Sequence, residues 1–301
     1  MNIEIIYFLE NIRADLEKTQ KSKKIAYTKI IGIIQDLNYE LTIDTKISDI
    51  KGIGKKTEDK IKEFLSKHLP TDPAQILEKQ LTEITGIGIK NAKIISSKIS
   101  NFEELYKNQD SLLNTKQKLG LKYYKTDNLR IIRSEMLKHE TFISQLIYNY
   151  NSNIKFQIVG SFRRRKEYSG DIDLILTYKE NILKEIIELF KKNNYIIDTY
   201  ANGNKKFMGW CVLPSSCQSL PRRLDILFTN KIEFPFSILY FTGSRNYNKY
   251  MRAYAIKKGL TLNEHGLFNK QTKELIDYDF NEEKDIFNYL QIEYKSPDQR
   301  I

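Results

Sequence analysis

The chain has almost no cysteine: two residues, Cys211 and Cys217, in 301. That excludes a disulfide framework, and with only three histidines beside them it leaves too few ligands for a zinc centre. Such cysteine usage suits a reducing, intracellular compartment, nuclear or cytoplasmic, with a viral source included. Long apolar runs are missing as well. None approaches the roughly 20 residues of a membrane span, so no membrane association is expected. The opening stretch MNIEIIYFLENIRADLEK carries early acidic residues and no signal-peptide n-region; it reads as an amphipathic helix. Acidic charge is in deficit, with 38 Asp and Glu against 49 Lys and Arg and a formal net charge of +11. Excess positive charge favours a polyanionic partner, because each phosphate neutralised releases a counterion. Apolar residues still make up 41% of the sequence, enough to core two or three compact units.

Residues 1–75 read as helical. Apolar positions recur at helical spacing through Ile5, Ile6, Phe8, Leu9 and Ile12, and again through Ile25, Tyr27, Ile30, Ile31, Ile33 and Ile34. Pro70 and the Thr-Asp-Pro at 71–73 mark a boundary, with Thr71 or Asp72 able to cap the next helix. Residues 76–150 read as helical too. Beyond residue 154 the pattern changes. FQIVGS, DIDLILTY and RLDILF are short, β-branched or aromatic, and bounded by turn residues, so they read as strands. ILKEIIELFKKNN (182–194) reads as an amphipathic helix between them, and EEKDIFNYLQIEY as a final helix. Helices first and an α/β unit after them predict an α+β fold: an all-helical N-terminal part joined to a mixed-sheet domain.

One repeat is visible. ISDIKGIGKKTEDKI (47–61) and LTEITGIGIKNAKII (81–95) share a Gly-Ile-Gly turn between two short helices. Gly52 and Gly54 in the first copy, and Gly86 and Gly88 in the second, let the backbone turn tightly. The amides that open the second helix then face outward, and with the helix dipole they suit a phosphate. Lys55, Lys56, Lys60 and Lys90 add charge on that side. A single copy is equally well an αα-hairpin turn; two copies in a +11 chain point to DNA backbone binding. The turns resemble the helix-hairpin-helix motif of DNA-repair proteins. That resemblance implies a monovalent cation, Na⁺ or K⁺, held by the carbonyls of Ser48, Ile50 and Ile53 and of Thr82, Ile84 and Ile87.

The segment VGSFRRRKEYSGDIDLILTY (159–178) carries the strongest signal. Asp171 and Asp173 are two apart at the start of a strand, and alternation puts both carboxylates on one face. Like charges side by side are costly unless cations lie between them. Oxygen-only ligands suit Mg²⁺, which normally brings substrate phosphates along. Asp225, alone in the apolar strand RRLDILF, would complete the site. Upstream, Gly160 and Ser161 offer a turn of amides and a hydroxyl, and the basic run Arg163 to Lys166 offers charge-assisted forks.

Gly-Ser-x-Arg-Arg followed by Gly-Asp-Ile-Asp resembles the family X nucleotidyltransferases. KFMGWCVLP (206–214), RRLDI (222–226), FPFSILYFTGSRNYNKYMRAYAIKKGLTLNEHG (234–266), DIFNYLQIEY (285–294) and GLKYY (120–124) extend the likeness to the DNA polymerase beta type. KKIAYTK (23–29) and GIGKKTEDKIKEFL (52–65) resemble its lyase domain. The resemblance implies a helical lyase-like domain at 1–75 and a helical DNA-binding subdomain at 76–135. A nucleotidyltransferase palm at 136–232 and a small α/β nucleotide-selection subdomain at 233–301 would complete the chain.

It also implies roles. Asp171, Asp173 and Asp225 would hold two Mg²⁺ ions, for which Mn²⁺ can substitute, and Asp225 would help deprotonate a primer 3′-hydroxyl. Ser161, Arg164 and Gly170 match residues that hold the β- and γ-phosphates of a deoxynucleoside triphosphate. Tyr240, Phe241 and Gly243 match the strip against its sugar, and Asn248 a contact to its base. Arg223, Lys249 and Arg252 match DNA contacts at the primer end and template. Lys60 falls where the family forms a Schiff base with a 5′-deoxyribose phosphate; Lys23, Tyr27 and Lys56 match residues around the 5′-phosphate. The expected function is template-directed gap filling with lyase activity in base excision repair, by a monomer acting on gapped or nicked duplex DNA. An untemplated transferase and a non-catalytic DNA-binding scaffold are the alternatives. Two departures bear on accuracy. Arg245 stands where the relative is acidic. Leu227 stands where it has an arginine that competes for Asp225, which is expected to remove one brake on assembling the site.

Overall fold

The computed structural model describes residues 2–300 apart from positions 17, 38, 69–71 and 215–218. Pro70, Thr71 and Cys217 lie outside the described residues. The chain divides into two compact units, Met1–Tyr124 and Lys125–Ile301. None of the helices among the described residues is long and apolar enough to cross a membrane.

The first unit is helical: α1 (Ile3–Asp15), α2 (Lys21–Gln35), α3 (Lys55–His68), α4 (Pro73–Thr82), α5 (Ile89–Ser96), α6 (Phe102–Lys107), α7 (Gln109–Leu112) and α8 (Thr115–Asp127), the last running past the boundary. One apolar cluster joins Ile5, Leu9, Ile30, Ile31, Ile34, Ile47, Ile61 and Leu65. Ile25, although in register with that set, is exposed. A second cluster joins Leu77, Leu81, Ile84, Ala92, Ile95 and Leu121. Asp72 caps α4, accepting from the Ala74 amide with Pro73 at the first turn.

The second unit runs β1 (Ile131–Ile132), α9 (Arg133–Tyr150), β2 (Lys155–Ile158), α10 (Gly160–Arg163), β3 (Tyr168–Ser169), β4 (Ile172–Thr177), α11 (Leu183–Lys192), β5 (Ile196–Asn202), β6 (Lys206–Cys211) and β7 (Arg222–Phe228). It ends with α12 (Phe234–Thr242), α13 (Arg245–Lys257), β8 (Leu260–Asn263), β9 (Gly266–Asn269) and α14 (Glu283–Leu290). Among the described residues five strands form a mixed sheet in the order β2-β4-β7-β6-β5, in which β4 and β7 are parallel. β7 alternates strictly: Arg222, Leu224, Ile226 and Phe228 are buried, while Arg223, Asp225 and Leu227 are half-buried. The buried set joins Phe207, Cys211, Leu174 and Leu176 under α9 and α11. In α11, Leu183, Ile186, Ile187 and Phe190 form the i, i+3, i+4, i+7 stripe that meets the sheet. Arg222 clamps β7 to α9 through Glu135, at 2.7 and 2.8 Å.

The α+β architecture expected from the element order is the one observed. Three local readings are corrected. FQIVGS is not one strand: β2 stops at Ile158 and 160–163 turn into α10, because Gly160 takes a left-handed φ of +65°. Asp171 precedes β4 rather than lying on it. The stretch 76–150 is not wholly helical, since Ile131 and Ile132 pair with Ser169 and Tyr168.

Glu58 on α3 is 2% exposed yet ionised. The Ser48 hydroxyl, Lys55 and Lys62 hold its carboxyl down at about 2, with the Ser48 hydrogen bond the largest influence. A depressed carboxylate contributes stability above its unfolded value, near 4.5, and loses it as pH falls towards the folded value. Glu58→Gln is therefore expected to melt earlier than the parent at pH 7. The gap should shrink as thermal melts are repeated downward from pH 4.5, and a pH-independent gap would refute the assignment.

Candidate active site

Parallel pairing of β4 and β7 sets Asp173 directly beside Asp225. Alternation turns both away from the α9–α11 core, onto the sheet face that also carries Arg223 and Leu227. Asp171, two residues before Asp173, is electrostatically coupled to the same pair. Burial and then the Asp225 charge raise its pKa. Asp173 is pushed up to about 7, by burial first and then by Asp171 and Asp225. Asp173 and Asp225 are thus set side by side, with Asp171 within reach of their charge, at an electrostatic cost.

Asp225 is not free. Its Oδ2 lies 3.1 Å from Lys206 Nζ, its Oδ1 3.6 Å from Arg223 Nη2. Oδ1 is buried and has no hydrogen-bond partner among the described residues. The release expected from Leu227 is therefore not found. Leu227 leaves the spot apolar, but Lys206, directly across from it on β6, reaches diagonally to Asp225. No group of three or more His, Cys, Asp and Glu side chains among the described residues is drawn in closely enough to hold an ion as it stands. An orphaned buried carboxylate oxygen among oxygen-only donors fits a hard divalent cation, once Asp225 turns from Lys206.

The turn above the carboxylates is built by Gly160. A Cβ there would lie 2.9 Å from Asp173 Oδ2, and the left-handed φ of +65° favours glycine at this position. Val159 N donates to the Asp173 carbonyl at 2.9 Å and fixes the approach. Ser161 donates to the Ser169 hydroxyl at 3.1 Å. Arg164 donates to the Thr242 carbonyl at 2.5 Å, and a Cβ on Gly243 (φ +68°) would lie 3.2 Å from its Nη1. The phosphate-type turn and the Tyr240–Gly243 strip are therefore adjacent. Gly170 lies beside Arg130, whose Nη1 would be 3.5 Å from a Cβ there. Arg130 Nε is buried without a partner among the described residues, and its charge reaches Asp171. Sequence reasoning missed Arg130 and Lys206; each is one lysine or arginine in a chain with 49.

Asn248 donates to the Tyr240 carbonyl at 2.7 Å, and Arg252 lies over the Tyr240 ring at 5.1 Å and 3.6 Å from Glu264. Tyr240 and Phe241 meet edge to face at 5.1 Å. Lys249 is exposed. Arg163, next to Arg164, spans Thr242 and Glu283, and Glu283 also receives Arg300, whose guanidinium is buried among Tyr247, Phe287 and Tyr294.

In the first unit, Lys60 donates to the Tyr27 hydroxyl at 3.0 Å, joining α3 to α2. Lys56 and Lys60, like Lys23 and Tyr27, are four apart on one helix face; Lys23 and Lys56 are exposed. The two glycine turns superimpose in kind. Gly52 and Gly86 have φ of +98° and +92°, and Ile53 N donates to Ile50 O as Ile87 N does to Ile84 O. Gly54 and Gly88 are exposed, and nothing lies within 4 Å of a Cβ built on either. Ser48 and Thr82 flank the turns in the preceding helical segments.

Comparison with known proteins agrees. The DNA polymerase beta palm matches residues 130–231, the DNA polymerase beta thumb 237–301 and a helix-hairpin-helix domain 1–70. The chain belongs to the family X DNA polymerases. It is 28% identical to DNA polymerase lambda of Rattus norvegicus and 26% to that of Arabidopsis thaliana, over 99% of its length in both cases. It is 23% identical to the DNA nucleotidylexotransferase of Xenopus laevis, over 93% of its length. It spans 55%, 61% and 64% of those three relatives.

Glu283 is the shared acceptor of two guanidinium groups, that of Arg300 buried and that of Arg163 half-buried. Removing one side of such a cluster strands like charges and costs about 3–5 kcal/mol. Glu283→Ala is expected to lose that much in urea unfolding of the chain, and a loss below about 1 kcal/mol would show the cluster to be solvated.

Proposed function

We propose that this chain is a DNA-directed DNA polymerase that fills short gaps, with a second 5′-deoxyribose-phosphate lyase activity, in base excision repair. The observation that carries the reading is the shared face of Asp173 and Asp225, set below the Gly160–Arg164 turn and beside the Tyr240–Gly243 strip. Asp171, Asp173 and Asp225 would hold two Mg²⁺ ions, or Mn²⁺ in their place. When bound, such ions polarise the α-phosphate and favour the ionised primer hydroxyl. The protein's own part is positioning. Ser161, Arg164, Gly170 and Arg130 cradle the triphosphate. Tyr240, Phe241 and Gly243 crowd the sugar, and Asn248 turns from Tyr240 to the base. The primer 3′-oxygen attacks the α-phosphorus, the bond to pyrophosphate breaks, and the hydroxyl proton passes to Asp225 or solvent.

Arg223, Lys249 and Arg252 face the primer and template. The two glycine turns grip DNA phosphates, with Na⁺ or K⁺ at the carbonyls of Ser48, Ile50, Ile53, Thr82, Ile84 and Ile87. Lys60 forms the Schiff base, with Lys23, Tyr27 and Lys56 around the 5′-phosphate. The reading includes the subdomain limits 1–75, 76–135, 136–232 and 233–301, a monomer, and an intracellular site of action.

With Mg²⁺ the parent should insert the complementary nucleotide into a one-nucleotide gap. Asp173→Ala should lose roughly 10³-fold in rate, the scale of about 4 kcal/mol of transition-state stabilisation. Insertion at the parental rate would sink the reading. Untemplated addition is the second reading, favoured by the likeness to a nucleotidylexotransferase. Equal extension with and without a template strand would establish it. For the lyase, borohydride should trap the parent on an incised abasic site, and trapping should drop at least tenfold in Lys60→Ala. Undiminished trapping would remove Lys60 from the role.

A further inference from the structure

Lys206 belongs to no part of the machinery described above, yet its ammonium is the closest charged contact of Asp225. The geometry is set by the sheet. Lys206, Met208 and Trp210 project from β6 onto the face that carries Leu227, Asp225 and Arg223 on β7, with Lys206 paired to Leu227 and Met208 to Asp225. A lysine is long enough to cross that diagonal. The partner it would have met at the directly opposite position is a leucine, which offers the ammonium nothing. Asp225 Oδ2, at 3.1 Å, is what it finds. Arg223 stands off at 3.6 Å, beyond hydrogen-bond range, and Asp225 Oδ1 stays without a donor among the described residues. The charge of Lys206 is also felt by Asp171 and Asp173.

We infer that Lys206 is a tethered counter-cation that holds Asp225 away from the divalent-metal position, and so sets the metal affinity of the free enzyme. The inference rests on reading the three aspartates as metal ligands. A lysine ammonium neutralises one charge of the cluster at no cost in recruitment, because it is already on the neighbouring strand. A divalent ion bound by Asp173 and Asp225 would bring two positive charges against the ammonium on one carboxylate, and the two cannot share it without repulsion. Metal binding therefore includes the release of Lys206. Half of the Lys206 side chain is exposed, so release needs no unfolding of β6. The free chain thus tolerates its own carboxylates, and the assembled site is reserved for conditions in which metal is abundant or arrives with a nucleotide.

The test is Mn²⁺ binding to the DNA-free chain, followed by the loss of the free-ion electron paramagnetic resonance signal. Lys206→Gln should bind Mn²⁺ roughly fivefold tighter than the parent, the size expected for losing a half-exposed ion-pair competitor. Lys206→Arg, which keeps the charge, should stay near the parent. Lys206→Met keeps the stem over Leu227 and serves if the glutamine variant does not fold; it should behave as Lys206→Gln. Asp173→Ala is the reference. If it abolishes Mn²⁺ binding while Lys206→Gln and Lys206→Met bind no tighter than the parent, the role of Lys206 is overturned and the metal site stands. If those variants only weaken binding to gapped DNA, Lys206 is a phosphate contact instead. If Asp173→Ala binds Mn²⁺ as well as the parent does, the metal reading fails and the inference with it.

Discussion

Two carboxylates side by side on parallel strands, with a third just upstream, are the constraint that the rest of the second unit answers. Strand pairing puts Asp173 against Asp225, and burial first, then the charges of Asp171 and Asp225, push the Asp173 carboxyl up to about 7. Such an arrangement is stable only because the opposite face of the same strands is tightly cored. Leu174, Leu176, Leu224 and Ile226 bury against α9 and α11, and Arg222 ties β7 to Glu135 on α9. The hydrophobic face holds the strands in register; the register forces the charges together.

The surroundings handle that charge in two ways. Cations lean in from the sheet, Lys206 most closely, and the backbone approaches where no side chain could. Gly160 illustrates the second: its left-handed φ and the close Asp173 carboxylate, 2.9 Å from where a Cβ would sit, favour glycine at the turn that carries Ser161 and Arg164. From that turn a chain of contacts leads outward. Arg164 reaches the Thr242 carbonyl, and Arg163 reaches the Thr242 hydroxyl and Glu283. Arg300 closes the network from the far end of the unit. The turn over the carboxylates and the strip ending at Gly243 are therefore mechanically one piece.

The first unit solves a different problem with the same residue. Gly52 and Gly86 take left-handed backbone angles that other residues rarely adopt, and Gly54 and Gly88 lie exposed at the turns. Below each turn the packing is dense: Glu58 is buried among lysines and the Ser48 hydroxyl, and Gly120 lets α8 pass against the Thr85 carbonyl.

Much of this was legible in the linear order of residues. Helical periodicity, the repeated Gly-Ile-Gly and the spacing of Asp171, Asp173 and Asp225 are local patterns, and local patterns determine element type, fold class and family. The α+β order follows from periods of 3.6 and 2, which the sequence carries by itself. What it could not carry is who sits across from whom. That Asp173 lies beside Asp225, that Lys206 takes up Asp225 where Leu227 had promised release, and that Arg130 and Arg300 enter the site region at all are set by strand register and chain return. Arg300 and Glu283 are 17 positions apart, and the Arg163–Glu283 contact in the same network joins residues 120 apart. Among 49 lysines and arginines no local signal distinguishes the few that meet a carboxylate; only the folded sheet does.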